Sequence, residues 1–206
     1  MAINWTTLTA SKSTAGSIAN WLNRSDLPME NILLEAEAWI YQRLRVREMT
    51  TADLFTFGAG ESTEALPSGF LDPISFKPYA WGSTALPYVH EDSFRERRDD
   101  DGNLAEDRPS QWTIIGETAH VDCICEEAFG GRLLYYKQPA PLSSSNETNF
   151  LTTRYPTLVR SACMMRGFEH MKHAQNAVAY MQKAEADIAE AMRTNDMFRR
   201  AQMVAS

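Results

Sequence analysis

Apolar residues recur every three or four positions at both ends of the chain and lose that rhythm in the middle. Near the N-terminus Ile18, Trp21 and Leu22 make one apolar face, with Ser13 or Thr14 placed to cap the helix. Residues 23–28 break it. Asp26 then reads as the N-cap of a second helix, with Pro28 in its first turn. From Met29 onward Ile32, Leu33, Ala36, Ile40 and Leu44 form a stripe over about four turns, flanked by Trp39 and Tyr41. That pattern predicts a helix covered on more than one side.

Between 51 and 137 the helical period stops. Gly58, Gly60, Pro67, Gly69, Pro73, Pro78 and Pro87 punctuate short β-rich runs, which predict strands at 74–79, 84–89, 112–115, 119–123 and 132–137. The polar stretch 91–107 reads as a helical turn running into an exposed loop. Pro139, Pro141 and the serines of 143–145 form a linker, after which Pro156 opens a helix with Leu158, Ala162 and Met165 on one face, running to about Lys172. A bend at 173–174 leads into a long helix whose stripe is Ala177, Met181, Ala184, Ile188, Ala191 and Met192, with Asn195 at its expected end. The predicted fold is α+β, mainly α: an antiparallel bundle of about four helices. Residues 1–50 and 138–195 supply the bundle, 51–137 a small β-rich insertion between the second and third helices, and 196–206 an extended C-terminal tail.

Composition narrows the function classes. The chain has 206 residues, 44% hydrophobic and 23% charged, near the globular averages of roughly 45–50% and about 25%, which excludes a wholly disordered, collagen-like or disulfide-scaffold chain. No apolar run approaches the roughly 20 residues that a membrane helix needs. Residues 1–10 lack a basic segment followed by an apolar one, so no secretory signal is expected, and three cysteines fit reduced thiols. The net charge of −7 is uneven: 51–137 carries seven basic against sixteen acidic groups, whereas 138–206 carries eight against six. A duplex-gripping protein shows a basic patch, and this acidic segment would repel DNA.

The candidate chemistry is thin. His120, Cys123 and Cys125 are metal-type side chains within six residues. On a strand, however, His120 points away from the cysteines, and a zinc site needs a fourth ligand. In Glu169-His170-x-x-His173 the glutamate precedes both histidines, unlike the His-Glu-x-x-His pattern, and histidines in a last helical turn are expected from the macrodipole. Asp99-Asp100-Asp101-Gly102 fails as a calcium loop, because Arg97 and Arg108 fall where carboxylates are required. Gly58-Ala59-Gly60 lacks the Gly-Lys-Ser/Thr of a phosphate loop. No catalytic constellation stands out, so the chain is read as a non-enzyme without cofactors.

Two blocks carry a resemblance. The first is Ile18-Ala19-Asn20-Trp21-Leu22-Asn23-Arg24-Ser25-Asp26-Leu27, followed by a helix ending Arg43-Leu44-Arg45-Val46-Arg47-Glu48-Met49. The second is Leu133-Leu134-Tyr135-Tyr136-Lys137, Pro139-x-Pro141-Leu142-Ser143, Asn149-Phe150-Leu151 and Tyr155-Pro156. Together, and in their order around a β insertion, they resemble the head–tail adaptor proteins of tailed bacteriophages, also called gateway, connector or tail tubular A-type proteins. The likeness covers about half the chain; 51–130 is not matched residue by residue.

The resemblance implies a ring, usually of twelve subunits, beneath the portal at one capsid vertex. The ring would extend the DNA channel and serve as a platform for the tail or nozzle protein, with genomic double-stranded DNA passing through unread and no membrane involved. It also implies a location in the virion after synthesis in the host cytoplasm. In the family the C-terminal tail reaches the portal. Here Met197, Phe198, Met203 and Val204 would be its apolar anchors, and Arg199 and Arg200 would meet portal carboxylates, the tail being disordered until bound. Packing of Phe198 onto its own bundle is the alternative. Arg43, Arg45 and Arg47 would bridge to the next subunit or else act as favourable charges at a helix C-terminus. The acidic middle would line the channel, repelling DNA, or simply face solvent. Other readings are a neck or tail-completion protein, a helical nucleic-acid-binding regulatory module, and a metalloenzyme using His120, Cys123 and Cys125.

Overall fold

The computed structural model describes residues 3–80 and 84–204, and side chains as far as Met197. The chain divides into two compact units, Met1–Glu48 with Pro139–Ser206, and Met49–Gln138.

The first unit is helical. Its elements are α1 (Trp5–Thr9), α2 (Ile18–Leu22), α3 (Met29–Tyr41), α4 (Phe150–Arg154), α5 (Pro156–His170) and α6 (Ala174–Val204). The predicted caps are corrected at both N-terminal helices. Ser17, not Ser13 or Thr14, caps α2 by accepting the Asn20 amide at 3.0 Å. Asp26 does not cap α3: its carboxylate is held by Arg24 in two bonds of 2.7 and 2.5 Å, and Pro28 occupies the N-cap position. The stripe of α3 is buried as its spacing demands, with Ile32, Leu33, Ala36 and Ile40 all inside. Pro156 opens α5, and Lys172 in the left-handed region (φ 58°) separates α5 from α6. Gly167 of α5 lets α2 approach closely, since a Cβ there would lie 2.3 Å from Leu22 Cδ1.

The second unit is two three-stranded antiparallel sheets. One has the order β1 (Thr50–Phe57), β6 (Phe129–Lys137), β3 (Phe70–Pro78); the other β2 (Thr63–Ala65), β5 (Thr118–Val121), β4 (Trp112–Ile115). Their shared core is aromatic: Phe55, Phe57, Phe76, Trp112, Phe129 and Tyr135 are buried, and Phe57 stacks on Phe129 with centroids 5.0 Å apart. Gly131 makes room for this packing, because a Cβ there would meet the Lys77 carbonyl oxygen at 2.6 Å and the Phe76 ring at 2.7 Å.

The mainly helical bundle expected from the periodicity is therefore wrong. Helices account for 38% of the chain and strands for 23%, in two antiparallel sheets. Two misreadings explain it. Helix α3 ends at Tyr41 rather than near Met49, and β1 and β2 were not expected. Leu54 faces solvent beside the buried Phe55, so the alternation of β1 is masked by an apolar residue on the wrong face. Residues 84–89 form only isolated bridges, Phe76 with Leu86 and Tyr88 with Trp112. The expected extended tail is likewise replaced: α6 continues through Asn195 to Val204. No Gly or Pro interrupts 195–204, and Gln, Arg, Ala and Met favour helix.

Candidate functional site

The most connected polar centre of the helical unit is Glu37, whose side chain is buried on α3. Its Oε1 accepts from Asn149 Nδ2 at 2.8 Å and from the Tyr41 hydroxyl at 3.1 Å, and its Oε2 accepts from the Leu142 amide at 2.8 Å. Asn149 also caps α4 in a reciprocal box with Thr152. One carboxylate thus fixes the proline linker and the start of α4 onto α3. Burial pushes its pKa up, against the three donors that pull it down. Sequence reading missed Glu37, although its place on the stripe of α3 was a signal: a glutamate on a covered face needs partners.

The arginines that follow α3 have local work. Arg43 donates to the Trp39 carbonyl at 3.2 Å and lies 4.5 Å from the Trp39 ring centroid. Arg45 donates to the Tyr41 and Leu44 carbonyls at 2.7 and 2.8 Å, satisfying groups that the end of a helix leaves open. The Arg47 amide donates to Asn195 Oδ1 at 3.1 Å, and its guanidinium to Glu48, which Arg154 also pairs. Asn195 is therefore a buried tie between α6 and the chain after α3, not a helix stop. Met197, two residues after it, is 65% exposed. Phe198, Arg199, Arg200, Met203 and Val204 lie on the helical backbone, but their side chains are outside the described residues.

In the β unit the polar stretch 91–107 is stitched down rather than free. Arg97 bonds Asp107 at 2.7 Å and the fully buried Asp122 at 3.1 Å, and Asp122 also accepts from the Ser110 amide and hydroxyl at 2.9 and 2.5 Å. Bonding from the Arg108 amide, then from Arg97, holds the Asp107 carboxyl below its ordinary range. Cys123 and Cys125 are buried, and both thiols donate to the Asp107 carbonyl, at 2.9 and 3.5 Å. Burial raises both pKa values, that of Cys125 to about 12, so they stay protonated near neutrality. Among the described residues no three His, Cys, Asp or Glu side chains converge as metal ligands, and His120 does not join the cysteines. His170 meets Glu35 at 3.2 Å on the surface.

The family model of the SU10 adaptor protein matches residues 9–205, nearly the whole chain and both units. The chain belongs to the SU10 adaptor protein family. It is thus a structural adaptor of a tailed bacteriophage, located in the virion and assembling with other virion proteins. No curated protein matches it. For an adaptor the surfaces that matter are those that meet other proteins. Besides Met197, the large exposed apolar side chains include Leu54, Tyr79, Tyr88 and Val178. A cleft of about 270 Å³ is lined by Trp21, Pro156 and Arg160, with the Arg160 guanidinium 5.3 Å from the Trp21 ring centroid. Among the described residues no helix is long and apolar enough to cross a membrane.

Proposed function

We propose that this adaptor acts without catalysis or cofactor as a closed ring, of twelve copies, beneath the portal. The ring extends the DNA channel and presents a platform to the tail or nozzle protein. The observation that carries the reading is the family match across residues 9–205. Support comes from α6: its 31 residues span roughly 46 Å at 1.5 Å per residue, long enough to carry the segment 197–204 away from the rest of the unit. In this reading Met197, Phe198, Arg199, Arg200, Met203 and Val204 meet the portal as a helix, and Arg43, Arg45 and Arg47 border the neighbouring copy. The β unit, with sixteen acidic against seven basic groups, lets duplex DNA pass without gripping it.

The deciding measurement is mass by light scattering, for the purified chain alone and mixed with the portal protein of the same phage. A chain of 23.3 kDa that becomes a ring on the portal agrees with the reading. A monomer that ignores the portal refutes it. Removing 196–206 separates the role of the helix end: unchanged portal binding would exclude it.

A further inference from the structure

The exposed face of the β1-β6-β3 sheet breaks a rule of cross-strand pairing. Lys77 of β3 stands directly opposite Arg132 of β6, and both are exposed. Like charges so placed destabilise an antiparallel pair, and neither side chain has an ion-pair partner among the described residues. On the other side of Arg132 stands Leu54 of β1, 70% exposed. Leu54, Arg132 and Lys77 thus form one straight row across three strands, an apolar knob beside two unneutralised cations.

The charge that fits this row occurs on the same unit. Arg95, Arg97 and Arg98 are engaged by their own loop. The turn 99–103 is different. Asp99 Oδ1 accepts the amides of Asp101 and Asn103 at 3.0 and 2.8 Å and so orders the turn, while Asp100 and Asp101 are exposed with no cation partner among the described residues. We infer that Leu54, Lys77 and Arg132 are the receiving half of a contact between copies, filled by the turn carrying Asp100 and Asp101 of a second copy. In the ring reading the contact is head-to-tail: each copy gives its turn to one neighbour and receives the turn of the other, the kind of contact that repeats around a ring and closes. The inference rests on the ring reading above and names the surfaces that make it.

The test uses full chains, half of them ¹⁵N-labelled, assembled on the portal and treated with a carbodiimide that joins amines directly to carboxylates. The expected product is a mixed-isotope link from Lys77 to Asp100 or Asp101. Lys77→Glu with Arg132→Glu is expected to raise the concentration for half-assembly at least about tenfold, and adding Asp100→Lys with Asp101→Lys to restore it. Intermolecular links that all avoid Lys77 would overturn the inference and leave the ring standing. An unaltered chain that gains no mass on the portal would remove the ring reading itself. A folded charge-reversed chain that assembles normally but loses retention of a duplex DNA probe would make the row a phosphate contact and overturn the pairing, as would failure of the fourfold variant to recover. Should the reversed chain not fold, the cross-link on the unaltered chain decides.

Discussion

Glu37→Ala is the substitution whose effect the structure specifies most closely. It removes the acceptor of the Leu142 amide, a bond of 2.8 Å, and one of the two acceptors of Asn149 Nδ2. Asn149 retains the Tyr41 hydroxyl oxygen as acceptor at 3.0 Å, whereas the Leu142 amide and the Tyr41 hydroxyl proton, which Glu37 accepts at 3.1 Å, both lose their acceptor. A buried unsatisfied donor costs about 1–3 kcal/mol, and each weakened bond about 1 kcal/mol more. Relief from burying a charge offsets part of this, leaving a net loss of about 2–3 kcal/mol, read from urea unfolding followed by helical circular dichroism. Hydrogen exchange at the Leu142 amide gives the local readout, and its protection should fall.

Glu37→Gln keeps the volume and should cost about 1 kcal/mol. The sign of the pH dependence follows from burial, which raises the folded-state pKa of Glu37 above 4.5. Its contribution to stability is full below that value and is lost as pH rises through the folded pKa. The advantage of the natural chain over Glu37→Gln should therefore shrink as pH rises from 4 toward neutrality. A Glu37→Ala loss under about 0.5 kcal/mol, with unchanged exchange at Leu142, would refute the argument.

Gly131→Ala forces a Cβ to within 2.6 Å of the Lys77 carbonyl oxygen, an overpacking expected to cost about 1–3 kcal/mol and to lower the melting temperature. Gly167→Ala collides with Leu22, which outweighs the roughly 1 kcal/mol of helix propensity that alanine gains; combined with Leu22→Ala it should cost less than the sum of the two single changes. Cys125, buried and with its pKa raised to about 12, should resist alkylation at pH 8 in the folded chain and react at once in urea. Hydrogen bonding from Arg24, and from the Asp26 amide, lowers the Asp26 pKa to about 2. Its contribution is present above 3.8 and lost as pH falls toward 2, and in Arg24→Ala an NMR titration should find the pKa moved back toward 3.8.

Helix was legible wherever one face is buried throughout. The stripes of α3 and α5 and the Ala177-Ala184-Ile188-Ala191 run of α6 follow a period that does not depend on what covers them. The order of blocks that marks a head–tail adaptor was legible for the same reason, being a property of neighbours along the chain. Helix ends and strands were another matter. Thr50–Phe57 pairs with residues about eighty positions away, so its identity as a strand depends on β6, and its exposed Leu54 hides the alternation. Asn195 looked like a helix stop because asparagine favours helix ends, but its side chain is spent on the Arg47 amide 148 residues distant.

Long-range partners of polar groups are what local pattern does not encode. Arg97 and Asp122 sit 25 residues apart, yet the tertiary fold ties the polar loop to a buried carboxylate through a half-buried arginine. Glu37 finds Leu142 and Asn149 across more than a hundred residues, and Lys77 meets Arg132 only because β3 and β6 pair in one register. Periodicity is set by covalent spacing and survives any fold. Pairing, burial of charge and the row that we assign to a second copy arise when distant segments meet, and only the tertiary structure decides them.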